Sequence, residues 1–253
     1  MILRRVIGHF RQQEWTAIAI DFVIVVVGVF IGIQVSNWNE TRVLRERERT
    51  HLGQLLIDLE SDRATGERGV AAANRIDDAA AAVLAVLEGA PQAAAISDAD
   101  LMRFLLEAGY AYLPQGNPTT YNEMISTGAL GLLQSVEIKR ALGEYYRAAT
   151  VGRQWDVLLR EEQFAYLAAI RGLLTREQST WARANVGHRP GPTPSSPAFD
   201  RAAFLDRARS RPEIVDSLRS MGAVQERLRN DSRDMTERAE ELAGLIEAEL
   251  GKS

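Results

Sequence analysis

The sequence predicts an all-α protein in which an N-terminal transmembrane helix continues into a long stalk helix, packed with further helices as an irregular helical bundle. Three observations predict this. An apolar run near the start has the length of a bilayer span, the eight prolines are grouped so that three long windows contain none, and apolar residues in those windows recur at helical spacing. Nowhere does an alternating strand pattern or a hairpin signal occur.

Composition narrows the class. With 46% apolar and 25% charged residues over 253 positions, the chain is neither disordered nor fibrous. Zero cysteines exclude disulfides, thiolate metal sites and thiol nucleophiles, and leave the redox compartment open. Thirty Lys+Arg against 34 Asp+Glu give a net charge of -4, too balanced for a dedicated nucleic-acid binder. Only Lys139 and Lys252 are lysines, so nearly all cations are arginine.

The first element is the anchor. Ala17 to Val35 is apolar except for Asp21 and Gln34. Nineteen helical residues span roughly 28 Å, close to the hydrocarbon thickness. Trp15 and Trp38 bracket the run, roughly 34 Å apart on a helix, where interfacial aromatic anchors belong. Gln34-Val35-Ser36-Asn37-Trp38-Asn39-Glu40 contains no small-x-small cleavage site, so a retained single span is expected rather than a signal peptide. The chain thus reads as a basic tail over 1–16, an anchor over 17–38 and a helical extracytoplasmic domain over 39–253 with a Pro-rich loop at 188–199. Arg4, Arg5 and Arg11 before the span nearly match Arg42, Arg45, Arg47 and Arg49 after it. The short basic tail and the alternation of the later arginines with Glu46 and Glu48 favour a body outside the cytoplasm.

After the anchor, Leu52, Leu55, Leu56 and Leu59 continue the helical spacing as a stalk, which Gly66 and Gly69 are expected to kink or break. Gly89-Ala90-Pro91 is a stop signal. Ser97 followed by Asp98 and Asp100 reads as a helix N-cap with an acidic first turn, and that helix ends at Gly109. A loop with Pro114, Gly116 and Pro118 follows, then a short helix from Thr119 or Thr120. Ser135 caps the next window, whose apolar positions are Ile138, Leu142, Tyr145, Tyr146, Leu158, Phe164 and Leu167. The last window, Glu213 to Leu250, repeats apolar residues at a near-heptad period typical of a coiled coil, interrupted by Asp231 and Arg238.

The span and its exit, from Asp21 through Gly28, Gly32, Gln34 and Ser36 to Asn37-Trp38-Asn39-Glu40, resemble an uncharacterised bacterial family of single-span membrane proteins. Members of that family usually carry glutamate where this chain has Asp21 and alanine where it has Gly32. The segment from Tyr121-Asn122-Glu123-Met124 through Gly128 and Leu130 to Tyr145-Tyr146 is similar to the family's central helical motif. The resemblance implies a helical extracytoplasmic body on the bacterial inner membrane, and no activity to carry over.

Asp21 is the residue with most functional excess, because a carboxylate inside hydrocarbon costs ~2.5–3.5 kcal/mol and defaults to a partner charge or a proton-handling role. Its nearness to Trp15 offers the plainer alternative of an interfacial acid reached by water. Gly28, Gly32 and Ser36 form a small-xxx-small ridge that permits close helix association, with Asp21 at its end. His9, His51 and His188 are scattered, and Glu48-Arg49-Thr50-His51 is a single Glu-x-x-His where a di-iron site needs two. Glu161 and Glu162 read as one exposed and one partly covered helix position. Tyr110, Tyr112, Tyr121, Tyr145 and Tyr146 read as core packing, with a pocket as the alternative. No phosphate loop or hydrolase motif occurs.

The expected function is therefore that of a membrane-anchored interaction or assembly module, not an enzyme, needing no cofactor or metal. Its expected partners are membrane lipid and either a second copy or another membrane protein, with no nucleic acid. A ligand-sensing bundle, with a pocket lined by Tyr121, Tyr145 or Trp155, and a proton-linked partnership through Asp21 are the alternatives.

Overall fold

The computed structural model describes residues 14–187 and 195–252, without the side chains of 14–18, 149–156 and 158. Residues 1–13 of the basic tail, with His9, lie outside the described residues, as does 188–194 of the Pro-rich loop, with His188. The side chains of Trp15, Trp155 and Leu158 are likewise outside them.

The described residues are helical, with no strand among them. Seven α-helices follow one another: α1 (Glu14–Glu88), α2 (Asp98–Glu107), α3 (Thr119–Thr127), α4 (Val136–Ala169), α5 (Arg176–Ala184), α6 (Arg201–Arg209) and α7 (Pro212–Gly251). Short 3-10 turns occupy Pro91–Ala95 and Ala129–Leu132. The chain divides into two compact units, Met1–Leu52 and Gly53–Ser253.

In the first unit, the apolar residues from Ile20 to Val35 are 47–69% exposed, and no described side chain of that stretch is buried. This stretch belongs to the one described helix long and apolar enough to cross a membrane.

In the second unit, three long helices carry the core. Along α1 the inward positions are Leu55, Leu59, Asp62, Gly66, Gly69, Ala73, Ile76, Ala80, Val83 and Leu87, an unbroken alternation of three and four. Gly66 and Gly69 do not break the helix, contrary to expectation: α1 is continuous through both, and α7 crosses it there. A methyl group on Gly66 would stand 2.7 Å from the Ser232 carbonyl oxygen, and one on Gly69 would stand 2.9 Å from Ser232 Cβ. Glycine is what lets the two backbones come this close.

The α7 seam is also continuous: Ile214, Leu218, Met221, Gln225, Leu228, Ser232, Met235, Ala239, Leu242 and Ile246 keep the same alternation. Asp231 and Arg238 do not interrupt it. They stand one position off the seam, Asp231 paired with Arg227 (2.9 Å) and Arg238 exposed, while Ser232 and Ala239 take the inward places.

Helix direction follows from contacts. The Tyr145 hydroxyl meets Asp62, and Tyr166 packs in one core with Ala80 and Val83, so α4 runs parallel to α1. Thr236 lies at Gly66, while Arg229 bonds Asn74 (2.6 Å) and Asp77 (2.8 Å), so α7 runs antiparallel. α4 also packs on α7. Arg75 pairs with the buried Glu107 of α2.

Local chemistry fixes the ends. α1 stops at Gly89 (φ 72°), with Ala90 N–H donating to the Ala85 carbonyl (2.9 Å) and Gly89 N–H to that of Val86 (3.4 Å), the Schellman pattern. Ser97 and Ser135 cap α2 and α4 as expected, accepting from Asp100 N–H and Ile138 N–H. α4 ends at Ile170; Gly172 (φ 78°) turns the chain and a Thr175–Gln178 capping box starts α5.

Candidate functional site

Two places gather polar or small residues in positions that ordinary packing does not explain. One is the face of the apolar stretch of α1. Asp21, Gly28, Gly32 and Ser36 are all exposed, and a methyl group built on Gly28 or Gly32 would meet nothing within 4 Å. On a helix Asp21 and Gly28 share a face, seven residues being close to two turns, and Gly32 and Ser36 continue it. Thr41 returns its hydroxyl to the Asn37 carbonyl (2.8 Å) within the exit segment, and Trp38 stands exposed.

The other place lies inside the helical body and was not expected from sequence. Asp58 and Asp62, one helical turn apart on the inward face of α1, are both buried. They hold the loop that carries Gly116, Asn117 and Pro118. Asp58 accepts from the Asn117 side-chain amide (2.8 Å) and from Thr120 N–H (3.0 Å). Asp62 accepts from Asn117 N–H (2.6 Å) and from the Tyr145 hydroxyl (2.8 Å). Every oxygen of the two carboxylates thus has a protein donor.

Asp58 caps α3 from a distance. The residue before α3 is Pro118, which offers no side-chain cap, so the first-turn N–H of Thr120 is satisfied by a carboxylate from another helix. Asn117 completes the turn by accepting from Thr119 N–H (3.2 Å) and Thr119 Oγ1 (2.6 Å). Gly116 passes close by, since a methyl there would stand 3.0 Å from Asp62 Oδ2.

Burial pushes the Asp62 carboxyl above its usual range, against the pull of the Asn117 and Tyr145 hydrogen bonds, and the neighbouring Asp58 charge pushes it further. Burial likewise pushes the Tyr145 phenol up, with the Asp62 carboxylate adding to it.

Of the five tyrosines between 110 and 146, the structure brings together three. Tyr121 stacks on Tyr146 (centroids 4.4 Å apart, 13° between planes), and Tyr145 meets Tyr146 edge-on at 5.0 Å. Tyr110 and Tyr112 are exposed elsewhere. Glu161 and Glu162 are both exposed, so neither is partly covered. Phe164 (62% exposed) and Leu167 also face outward, while Gln163 reaches the Gly109 carbonyl (2.8 Å) and Tyr166 the Leu105 carbonyl (2.7 Å). His51 is half-buried. Among the described residues no group of three His, Cys, Asp or Glu is placed to hold a metal ion.

No protein-family model, curated protein or solved structure matches the chain.

Proposed function

We propose that the chain is a single-pass membrane protein whose N-terminal span fixes a helical body to the bacterial inner membrane, on the periplasmic side, where it serves as a non-enzymatic interaction or assembly module. The observation that carries this reading is the continuous apolar surface from Ile20 to Val35, exposed on all sides within its unit. A surface of that size exceeds what soluble proteins leave to water, and hydrocarbon is the solvent it suits. The resemblance of the span and its Asn37-Trp38-Asn39-Glu40 exit to the single-span family supports the same reading.

Within this reading the Gly28, Gly32 and Ser36 ridge is the surface for a second copy or another membrane helix, with Asp21 at its end. A periplasm-active reporter fused after Ser253 should be active, and the chain should stay in the membrane fraction at full length. In a membrane two-hybrid assay, Gly28→Leu and Gly32→Leu should abolish association while Val27→Leu, off the ridge, should not. Loss with Asp21→Asn alone would point to a charged or proton-linked partner instead. Equal association of all four variants would leave the span as a tether only.

A further inference from the structure

Within the N-terminal unit, α1 leaves its apolar stretch through a face of one charge sign. The unit extends to Leu52, and α1 is continuous from Glu14 beyond that point. Trp38, Arg42, Arg45 and Arg49 follow one another at spacings of four, three and four. On a helix they lie within about 60° of one another. Glu46 and Glu48 fall beyond the two edges of that face, and Glu40 lies on the far side with Arg47. The Gly28, Gly32 and Ser36 ridge is centred about 100° round the helix, so a second helix packed on it would leave the arginine face open.

The first two arginines are not spent on protein. Arg42 and Arg45 are exposed, and among the described residues neither side chain has an ion pair or hydrogen bond, although Glu46 and Glu48 stand within a turn. Height decides what they meet instead. At 1.5 Å per residue, Arg42 stands about 6 Å and Arg45 about 10 Å beyond Trp38. The headgroup layer is roughly 5–7 Å thick on each side of the hydrocarbon. With Trp38 at the hydrocarbon boundary, Arg42 lies inside that layer and the Arg45 stem is long enough to reach back into it. Arg49, about 16 Å out, lies beyond it. The acceptor at that level is a phospholipid phosphate, which a guanidinium fork matches with two parallel hydrogen bonds. Two forks bring two positive charges to it, and an anionic headgroup, with no ammonium of its own to compete, is their complement.

We infer that the face of Trp38, Arg42 and Arg45 is a binding site for the headgroup of an anionic phospholipid. Arg42 and Arg45 hold the phosphate, and the Trp38 ring lies against the glycerol and upper acyl chain. This rests on the anchor reading and deepens it: the span is a selective lipid binder on one face, separate from the glycine ridge that serves association with another helix.

The test compares two lipids on the full-length protein in phosphatidylcholine vesicles. A trace of nitroxide-labelled phosphatidylglycerol or phosphatidylcholine is added, and the relative association of each is read from the motionally restricted part of its electron paramagnetic resonance spectrum. With roughly fivefold per arginine, wild type should prefer phosphatidylglycerol by roughly tenfold or more. Arg42→Gln should lower the preference by about fivefold, and Arg42→Gln/Arg45→Gln should remove most of it. Arg47→Gln, an equal change of charge on the opposite face, should lower it by less than about twofold. If the protein floats with the vesicles and restricts both lipids equally, the headgroup site is refuted while the anchor stands. A preference that survives Arg42→Gln/Arg45→Gln, or that Arg47→Gln lowers as much as Arg42→Gln, also refutes the site, because charge then acts without the face. If the protein neither floats with the vesicles nor restricts either lipid, both readings fall.

Discussion

Replacing Gly66 by alanine should destabilise the body, against the ordinary rule for helices. In an unobstructed helix interior Gly→Ala gains about 1 kcal/mol from propensity. At Gly66 the new methyl would be placed 2.7 Å from the Ser232 carbonyl oxygen and closer still to the Thr236 hydroxyl. The hydroxyl can rotate away; the carbonyl belongs to the α7 backbone and moves only if α7 moves. Overpacking of this kind costs ~1–3 kcal/mol, and a backbone obstacle puts it near the upper end. Setting ~3 against ~1 leaves a net loss of about 2 kcal/mol, or a Tm lower by ~4–8 °C for a domain of this size. Gly53, on the same helix, has nothing within 4 Å of a built methyl. Gly53→Ala should therefore raise Tm by ~2–4 °C. Circular-dichroism melts of the full chain in detergent measure both. If Gly66→Ala is as stable as wild type or more so, the close crossing of α1 and α7 is wrong.

The Asp62 clamp makes two further predictions. Asp62→Ala strands the Tyr145 hydroxyl and Asn117 N–H at about 1–3 kcal/mol each, so urea unfolding should show a loss of ~3 kcal/mol or more, whereas Asp62→Asn, which keeps an acceptor, should lose about 1. The pH dependence has a definite sign. The folded-state pKa of Asp62 is raised above its unfolded value, so its contribution is fully present below the unfolded pKa and is lost as pH rises through the folded one. The advantage of wild type over Asp62→Asn should shrink from acid toward neutral pH; a gap that widens would contradict the burial. Leu228→Asp places a carboxylate on the buried α7 seam and should cost more than ~4 kcal/mol, visible as loss of cooperative melting, while Asp231→Leu, one position off the seam, should not unfold the body.

Much of the fold was legible because its signals are local. Ser97, Ser135 and the start near Thr119 were readable from cap chemistry and proline placement, and the all-helical class from spacing alone. The Leu52, Leu55, Leu59 stripe was followed only that far because its next members are Asp62, Gly66 and Gly69, none of them apolar. Extending the three-four alternation without regard to residue type would have placed all three inward. The same holds for Ser232 and Ala239 on α7, and Ser232 is the residue that meets both glycines. Asp58 and Asp62 escaped notice for another reason: their partners Asn117, Thr120 and Tyr145 are 55 to 83 residues away, and a clamp of that span leaves no local pattern. The turn at Gly172 and the Thr175-x-x-Gln178 box that follows it were not read from the sequence, although both signals are local. Phe164 and Leu167 were placed inward by hydrophobicity, where Gln163 and Tyr166 took the positions because each has a buried carbonyl to bond.

The central claim is that residues 17–38 cross a membrane. Its most direct test is alkaline carbonate extraction of cell membranes, comparing wild type with Val26→Arg/Phe30→Arg. Each arginine near the helix centre costs ~2.5–3.5 kcal/mol of insertion, so the pair should largely abolish it. Wild-type protein at full length should stay in the pellet and yield only to detergent, with the double variant released to the supernatant. Wild-type protein in the supernatant, or in a shortened soluble form, would contradict the account.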